Sequence, residues 1–323
     1  MSTAMSAVMS AAQSRREMAC AFAPASVGNV AIGFDILGFS VGSIGDRATV
    51  RRSGVAGVRI TAVRGVAGDL PLEPEKNTAG RALQAMRETL ALPFGFECEL
   101  DKGIPLASGL GGSAASAVAA VVAANALLAS PCSQLQLLKF ALQGEQVASG
   151  SIHVDNIASS LFGGLVLTVG IDQPRVKQIP VPAAIRAVVV HPHMFLSTRE
   201  ARAILKGSVP MKDFVWQTAN LAGFVSGCYT NDIEMLRECF EDVVIEPQRA
   251  ALIPGFAAVR SAAMSAGALG CSISGGGPSI FAWCLDSHAL AVREAMVVEF
   301  TRNGLQSDHW TTALEPVGAR VVA

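Results

Sequence analysis

The sequence predicts an α+β fold of about two domains, and three observations carry that prediction. At 323 residues, with 51% hydrophobic and 16% charged side chains, the chain has material for a large core and exceeds the usual size of one domain. Short alternating apolar runs are interleaved with segments of helical periodicity along its whole length, with no internal repeat. The stretch from Pro105 to Asn125, PLASGLGGSAASAVAAVVAAN, sets a glycine loop between a strand and an alanine-rich helix.

In the strand ahead of that loop, Phe96, Cys98 and Leu100 alternate with polar neighbours as far as Lys102. Gly109, Gly111 and Gly112 then lack side chains, so backbone N–H groups can approach an anion closely. Ser113 stands where the helix begins, and the unpaired N–H groups and positive end of a helix favour phosphate. A plain glycine turn before a buried helix is the alternative. Against it stand Ser108, Ser113 and Ser116, hydroxyls that a packing turn does not need and that suit phosphate or magnesium. No lysine follows the glycines, so this is not GxxxxGK(S/T), and the spacing is not GxGxxG.

Taken in order, Ala19 to Thr49 reads as two apolar strands around a loop that holds Asn29, Gly33 and Asp35, residues that serve equally as turn formers. Val58 to Val63 is a strand and Gly65 to Glu75 a surface loop. Asn77 or Thr78 caps a helix that runs through Leu90. Ser133 caps the next, which carries the carboxylate of Glu145 among leucines. His153, Asp155 and Asn156 crowd into four positions, which suits a metal, a triad, or a polar loop in which Asp155 caps a helix starting at Asn156.

Pro180 and Pro182 mark a division before the strand from Ala187 to His191. Ser197 or Thr198 caps a helix, Met211 to Thr230 is a long amphipathic one, and Asn231 to Val244 another. Arg249 follows a proline turn ahead of a helix with Val259, Ala262, Ala263 and Ala266. Gly270 to Leu285 reads strand, glycine turn, strand, followed by a helix from Ser287 to Arg302 and a strand from Val317 to Val322.

Composition excludes several functions. A net charge of −1 without Lys/Arg runs gives no footprint for nucleic acid or an anionic membrane. The seven cysteines, at 20, 98, 132, 228, 239, 271 and 284, form no CxxC pair, against both a disulfide framework and a zinc site and in favour of a reducing cytoplasm. Arg15 and Arg16 follow the mildly apolar start rather than precede it, the wrong order for a secretory signal, so residues 1–18 read as a disordered extension. No run reaches the about 18 apolar residues of a membrane span. The longest, Ala114 to Leu128, is broken by Ser116 and Asn125. These residues alone describe a soluble, phosphate-binding enzyme of helices and strands.

Three motifs, in order, resemble those of the GHMP kinases, the family of galactokinase, homoserine kinase, mevalonate kinase and phosphomevalonate kinase. The glycine loop is similar to motif two, PxxxGLGSSAA, with Gly112 in place of the first serine and Ser113 kept. The first loop resembles motif one in its homoserine kinase form, APAxxxNxGxGFDxLG, at Ala23, Pro24, Ala25, Asn29, Gly33, Phe34, Asp35, Leu37 and Gly38, with Ala31 where the family commonly has glycine. Residues 274–282 resemble motif three, SGxGPTxFA, with Ser279 for the threonine. The runs around His153 and Asn156, STREAR with Arg202, and EPQRAALIPGF with Arg249 are similar to segments of the homoserine kinase branch.

The resemblance implies a two-domain GHMP kinase fold, with an S5-like βαβ domain over 19–183 that binds ATP and a ferredoxin-like domain over 184–323. It implies ATP, magnesium and L-homoserine as ligands, a role in threonine biosynthesis, and a cytoplasmic homodimer. On this reading Pro105, Leu106, Ala107, Ser108, Gly109, Leu110, Gly111, Gly112, Ser113, Ala114 and Ala115 hold ATP, with Asn77 near the adenine. Ser113 and Glu145 face the metal, and Gly275, Gly276 and Gly277 support the loop. Asn29, Asp35 and Asn156 stand at the reacting centre, with Asn29 orienting the hydroxyl and Asp35, assisted by His153, holding the ammonium. Arg202 and Arg249 take the carboxylate. A mevalonate or phosphomevalonate kinase is the alternative within the family, but those relatives use an aspartate base where this chain has Asn156, and often a lysine in motif one. A non-catalytic nucleotide-binding regulator on the same scaffold is expected to lack Ser113 or Glu145.

Overall fold

The structure, a computed structural model, describes residues 16–149, 153–170 and 174–322, with the backbone alone for 146–149. Most of the expected N-terminal extension, and Gly150 to Ile152 beside His153, lie outside the described residues. The strands are β1 (Met18–Gly28), β2 (Leu37–Ser53), β3 (Val58–Gly65), β4 (Gly95–Lys102), β5 (Leu165–Val169), β6 (Arg175–Ile179), β7 (Ile185–Pro192), β8 (Ala268–Ile273), β9 (Ile280–Leu285), β10 (Ser307–Ala313) and β11 (Arg320–Val322). The helices are α1 (Thr78–Thr89), α2 (Gly112–Asn125), α3 (Gln134–Ser149), α4 (Val154–Phe162), α5 (Thr198–Ala203), α6 (Met211–Thr230), α7 (Ile233–Glu238), the single turn α8 (Glu246–Arg249), α9 (Phe256–Ser265) and α10 (Ala289–Arg302).

The first sheet runs β11-β1-β2-β4-β3, with β3 parallel to β4 and the other pairs antiparallel. Strand β2 is long enough to serve two partners, β5 along Leu37 to Phe39 and β4 along Arg47 to Ser53. Helix α2 packs on β1 and β2 and is flanked by α1, α3 and α4. Being covered on nearly all sides, it is built of alanine and valine, whose small side chains let its neighbours approach.

The second sheet is antiparallel in the order β10-β7-β9-β8, with α9 and α10 as its crossovers, which is the βαββαβ arrangement of a ferredoxin-like domain. Alternation along β7 divides its two faces: Val188 and Val190 pack with α9 and α10, while Ala187 and Val189 join the core of the first sheet. An aromatic cluster seals that junction. The ring of Phe39 from β2 lies 5.3 Å from Phe281 and 5.8 Å from Trp283 of β9, and Trp283 lies 5.2 Å from Phe224 of α6.

Several expectations need correction. Strand β11 pairs with β1, so the closing strand, placed by the sequence in the half from residue 184 onward, belongs to the first sheet. Its approach is fixed where Gly163, at φ +78°, leaves no room for a side chain against Val317 and Gly318. The helix expected over 231–244 spans only Ile233–Glu238, because the buried Asp242 carboxylate accepts the N–H groups of Val244, Ile245 and Glu246 and starts a new turn. Strands β5, β6 and β10 were not anticipated.

The phosphate-type loop, residues 103–112, is stapled at both ends by a buried ion pair. Lys102 bonds Asp46 and donates to the carbonyl of Gly112 and to Ser116 Oγ, both at 2.7 Å. Asp46 accepts the N–H groups of Gly103 at 3.0 Å and Ile104 at 3.2 Å.

Two stability outcomes are expected. Trp283→Ala, at the junction, should cost about 3–5 kcal/mol. Urea denaturation should still show one transition for both sheets, and two separate transitions would contradict the shared core. Trp283→Phe should cost clearly less, since the indole N–H has no partner among the described residues. Lys102→Met strands a buried carboxylate and should cost about 3–5 kcal/mol. Adding Asp46→Asn should recover part of that loss in thermal denaturation.

Candidate active site

A cleft of about 480 Å³ opens between the two sheets, and both halves of the chain line it. On one wall, loop 103–112 turns through left-handed backbone at Ala107, Gly109 and Gly111, with φ values of +51°, +74° and +65°. Helix α2 starts at Gly112, one residue earlier than the sequence suggested. Its first backbone bond is from Ala115 N–H to Gly111, so the N–H groups of Gly112, Ser113 and Ala114 are free of helical partners, as an anion site requires.

Glycine is required at two of these positions by close approach. A Cβ on Gly109 would lie 2.6 Å from the carbonyl oxygens of Gly277 and Ser274, and one on Gly111 would lie 2.1 Å from Ser26 Oγ. Loop 274–279 also bonds the first loop directly, with Ser274 Oγ donating to Gly109 O at 2.7 Å and Ser279 N–H to Ser108 O at 3.2 Å. Gly275 and Gly276 reach the cleft, whereas Gly277, Ala114 and Ala115 stand behind its lining. Asn77 lines it too, but its carboxamide caps α1 through the N–H groups of Ala79 and Gly80.

Beside the helix start, Ser113 Oγ donates to Glu145 Oε1 at 2.9 Å. Glu145 is buried, and its other oxygen has no hydrogen-bond partner among the described residues. His153 Nδ1 lies 3.5 Å from Glu145 Oε1. Burial pulls the His153 pKa down, but the hydrogen bond and charge of Glu145 outweigh it and leave the group raised. A hydroxyl and an orphaned carboxylate oxygen are hard donors that fit magnesium, which takes one or two protein ligands and completes its shell with phosphate and water. No cluster of three His, Cys, Asp or Glu among the described residues makes a metal cage, so phosphate oxygens would have to complete the shell.

The opposite wall is the loop after β1, where Asn29, Val30 and Ala31 are consecutively left-handed. Ala31 thus takes a conformation that glycine adopts more easily. Asn29 Nδ2 donates to Gly275 O at 2.9 Å and its Oδ1 accepts the Asp35 N–H at 3.1 Å, so most of its amide is already engaged. Asp155 is not the expected helix cap. Helix α4 begins at Val154, and the Asp155 carboxylate accepts the N–H of Asn29 at 3.1 Å. Burial, and then the charge of Asp35, push its pKa up to about 6. Asn156 Oδ1 accepts from Ser26 Oγ at 3.0 Å.

Arg202 and Arg249, far apart in sequence, converge here. Arg202 forks onto Asp35, with Nη2 at 2.8 Å from Oδ1 and Nη1 at 3.1 Å from Oδ2. Arg249 is buried and donates from Nε to Ala201 O and from Nη1 to Gly275 O, each at 2.9 Å. Burial and the like charge of Arg202 lower its pKa. Both guanidinium groups lie 5.3 Å from the centre of the Phe34 ring.

Sequence reasoning missed Phe34, Lys102 and Asp46 as contributors, and read Asp155 as part of a polar cluster or as a helix cap. Phe34 could have been flagged as an aromatic beside a loop carboxylate, and Lys102 as a lysine ahead of the glycines rather than after them. Nothing local marked Asp46.

The description "GHMP kinases N terminal domain" matches residues 77–164, and "GHMP kinases C terminal" matches 224–301. The chain is 52% identical to the homoserine kinase of Xylella fastidiosa (strain 9a5c) over 94% of this chain and 93% of that protein. It is 51% identical to that of Xanthomonas campestris pv. campestris (strain B100), over 97% and 96%. The crystal structure of homoserine kinase from Cytophaga hutchinsonii ATCC 33406 superposes with a TM-score of 0.93 at 43% identity, over 96% of this chain and 99% of that one. The L. major mevalonate kinase solved with R-mevalonate shares the fold, at a TM-score of 0.66 and 16% identity over 95% and 98%. With both halves matched in order, and homoserine kinases alike across nearly its whole length, the chain belongs to the homoserine kinases of the GHMP kinase family.

Proposed function

We propose that the chain transfers the γ-phosphoryl group of ATP to the side-chain hydroxyl of L-homoserine, giving O-phospho-L-homoserine and ADP, a step of threonine biosynthesis. The observation that carries this reading is one cleft with a backbone anion loop on one wall and, on the other, a carboxylate and two arginines suited to an amino acid. Family membership supports it. The likeness also suggests a cytoplasmic homodimer, and among the described residues no helix is long and apolar enough to cross a membrane.

The first-turn N–H groups of α2 and the positive helix end receive the β- and γ-phosphates. Magnesium, held by Ser113 and Glu145, would neutralise charge on those phosphates. Arg202 and Arg249 bind the substrate carboxylate, for which planar guanidinium groups are better suited than lysine. Asp35, with His153, binds the ammonium, and Asn29 uses its remaining amide N–H to orient the hydroxyl. The hydroxyl oxygen bonds to the γ-phosphorus as the bond to the β–γ bridging oxygen breaks, and that electron pair leaves with ADP. Asn156 cannot accept a proton, and a loose transition state needs little help from a base, so the hydroxyl proton is released late to a phosphoryl oxygen or water.

ADP formation should be measured with L-homoserine, galactose and mevalonate as acceptors. Homoserine should support turnover alone, and a higher kcat/KM with either of the others would overturn the reading. Glu145→Gln should lower kcat by about 100-fold or more with little change in melting temperature. Arg202→Ala and Arg249→Ala should each raise the homoserine KM by about 30-fold to several-thousand-fold while the ATP KM barely moves. A shift below about threefold for both would mean that neither is a buried partner of the carboxylate.

A further inference from the structure

Two loops carry the groups assigned above to the amino-acid substrate: residues 29–36 with Asp35, and residues 242–249 with Arg249. They share one hydrogen-bond acceptor and one aromatic ring. The carbonyl oxygen of Gly275 accepts from both Asn29 Nδ2 and Arg249 Nη1, each at 2.9 Å. The Arg249 guanidinium also lies 5.3 Å from the centre of the Phe34 ring, in the first loop.

A second attachment comes from α6. Gln217 Nε2 donates to Ile32 O at 3.1 Å, in the first loop, and Gln217 Oε1 accepts the Val243 N–H at 2.9 Å, in the second. A carbonyl can only accept and an N–H can only donate, so a single orientation of the amide satisfies both. Asp242, next to Val243, caps the turn that ends in Arg249 by accepting three N–H groups at 2.9 Å. Asn220, further along the same helix, donates to Glu241 O at 2.8 Å, which binds α6 to that segment a second time. Gln217 is therefore the hydrogen-bonded reach of this unit to the loop that carries Asp35. It lies outside the lining of the cleft and touches no atom assigned to substrate.

We propose that Gln217 is a positioning residue for substrate recognition, which sets the separation of Asp35 from Arg249 and hence the spacing of ammonium and carboxylate that the site accepts. The proposal rests on the reading of Asp35 and Arg249 as the amino-acid-binding groups. An α-amino acid carries both charges on one carbon, so a site of fixed spacing rejects a β-amino isomer whose charges stand one carbon further apart. Loosening the brace should relax that rejection.

The test uses the full chain with Gln217→Met, which removes both bonds at similar volume, and Gln217→Glu, which keeps an acceptor for Val243 but sets an oxygen against Ile32 O. Steady-state kinetics are measured with ATP, L-homoserine and its β-amino isomer, 3-amino-4-hydroxybutanoate, alongside melting temperatures. Loss of two neutral hydrogen bonds should raise the homoserine KM about tenfold, leave kcat and the ATP KM within about twofold, and narrow the preference over the β-amino isomer about fivefold. An unchanged homoserine KM in Gln217→Met overturns the proposal. So does a parallel loss for ATP, homoserine and melting temperature, which marks a merely structural role. Wild-type turnover of L-homoserine, measured first, tests the substrate assignment by itself, so its failure is told apart from a failure at Gln217.

Discussion

Backbone-to-backbone contact between loops 103–112 and 274–279 is the constraint on which the rest of the site depends. The two loops come from different sheets, and they touch where the first cannot carry a side chain: a Cβ on Gly109 would strike two carbonyl oxygens of the other loop. With Ser274 and Ser279 bonded across the gap, the first loop is held so that the opening N–H groups of α2 face the cleft. The same second loop supplies Gly275 O to Asn29 and Arg249. One strand–turn–strand thus registers one wall of the cleft against the other, as the proposed in-line transfer between two bound molecules demands.

Beneath the loop, the burial of charge is made tolerable by saturation of its hydrogen bonds. Lys102 finds three acceptors, and Asp46 receives two backbone N–H groups besides Ser116 and the lysine. This network also borders a departure from the family pattern. A Cβ on Gly112 would lie 3.2 Å from Ile104 Cγ2 and 3.6 Å from Lys102 Nζ, so glycine fits the space that the stapled loop leaves. At Ala31 the loop keeps its left-handed backbone without glycine, braced by the Asp155 bond to Asn29 and the Gln217 bond to Ile32.

Local signals were enough for the local structure. Apolar alternation located β3 and β4, amphipathic spacing bounded α6 at Met211 and Thr230, and cap chemistry placed Asn77 and Ser197 at helix starts. What escaped was set by tertiary pairing. Strand β10 is polar along SDHWTTA and exists because β7 offers it an edge. Strand β11 crosses to the other sheet to cover β1. Asp155 reads as a helix cap in isolation, and only the fold turns its carboxylate to Asn29. Arg202 and Arg249 were picked out by family likeness, but their meeting on the ring of Phe34 has no trace in spacing or periodicity.

The interlock of the two glycine loops is tested most directly by the ATP affinity of Gly109→Ala, measured by isothermal titration calorimetry on protein whose circular dichroism matches wild type. A methyl group 2.6 Å from two carbonyl oxygens, on backbone at φ +74°, should force the loops apart. The account expects ATP affinity to fall by about tenfold or more. Affinity within about twofold of wild type would contradict it, because loop 103–112 would then hold its shape without that contact.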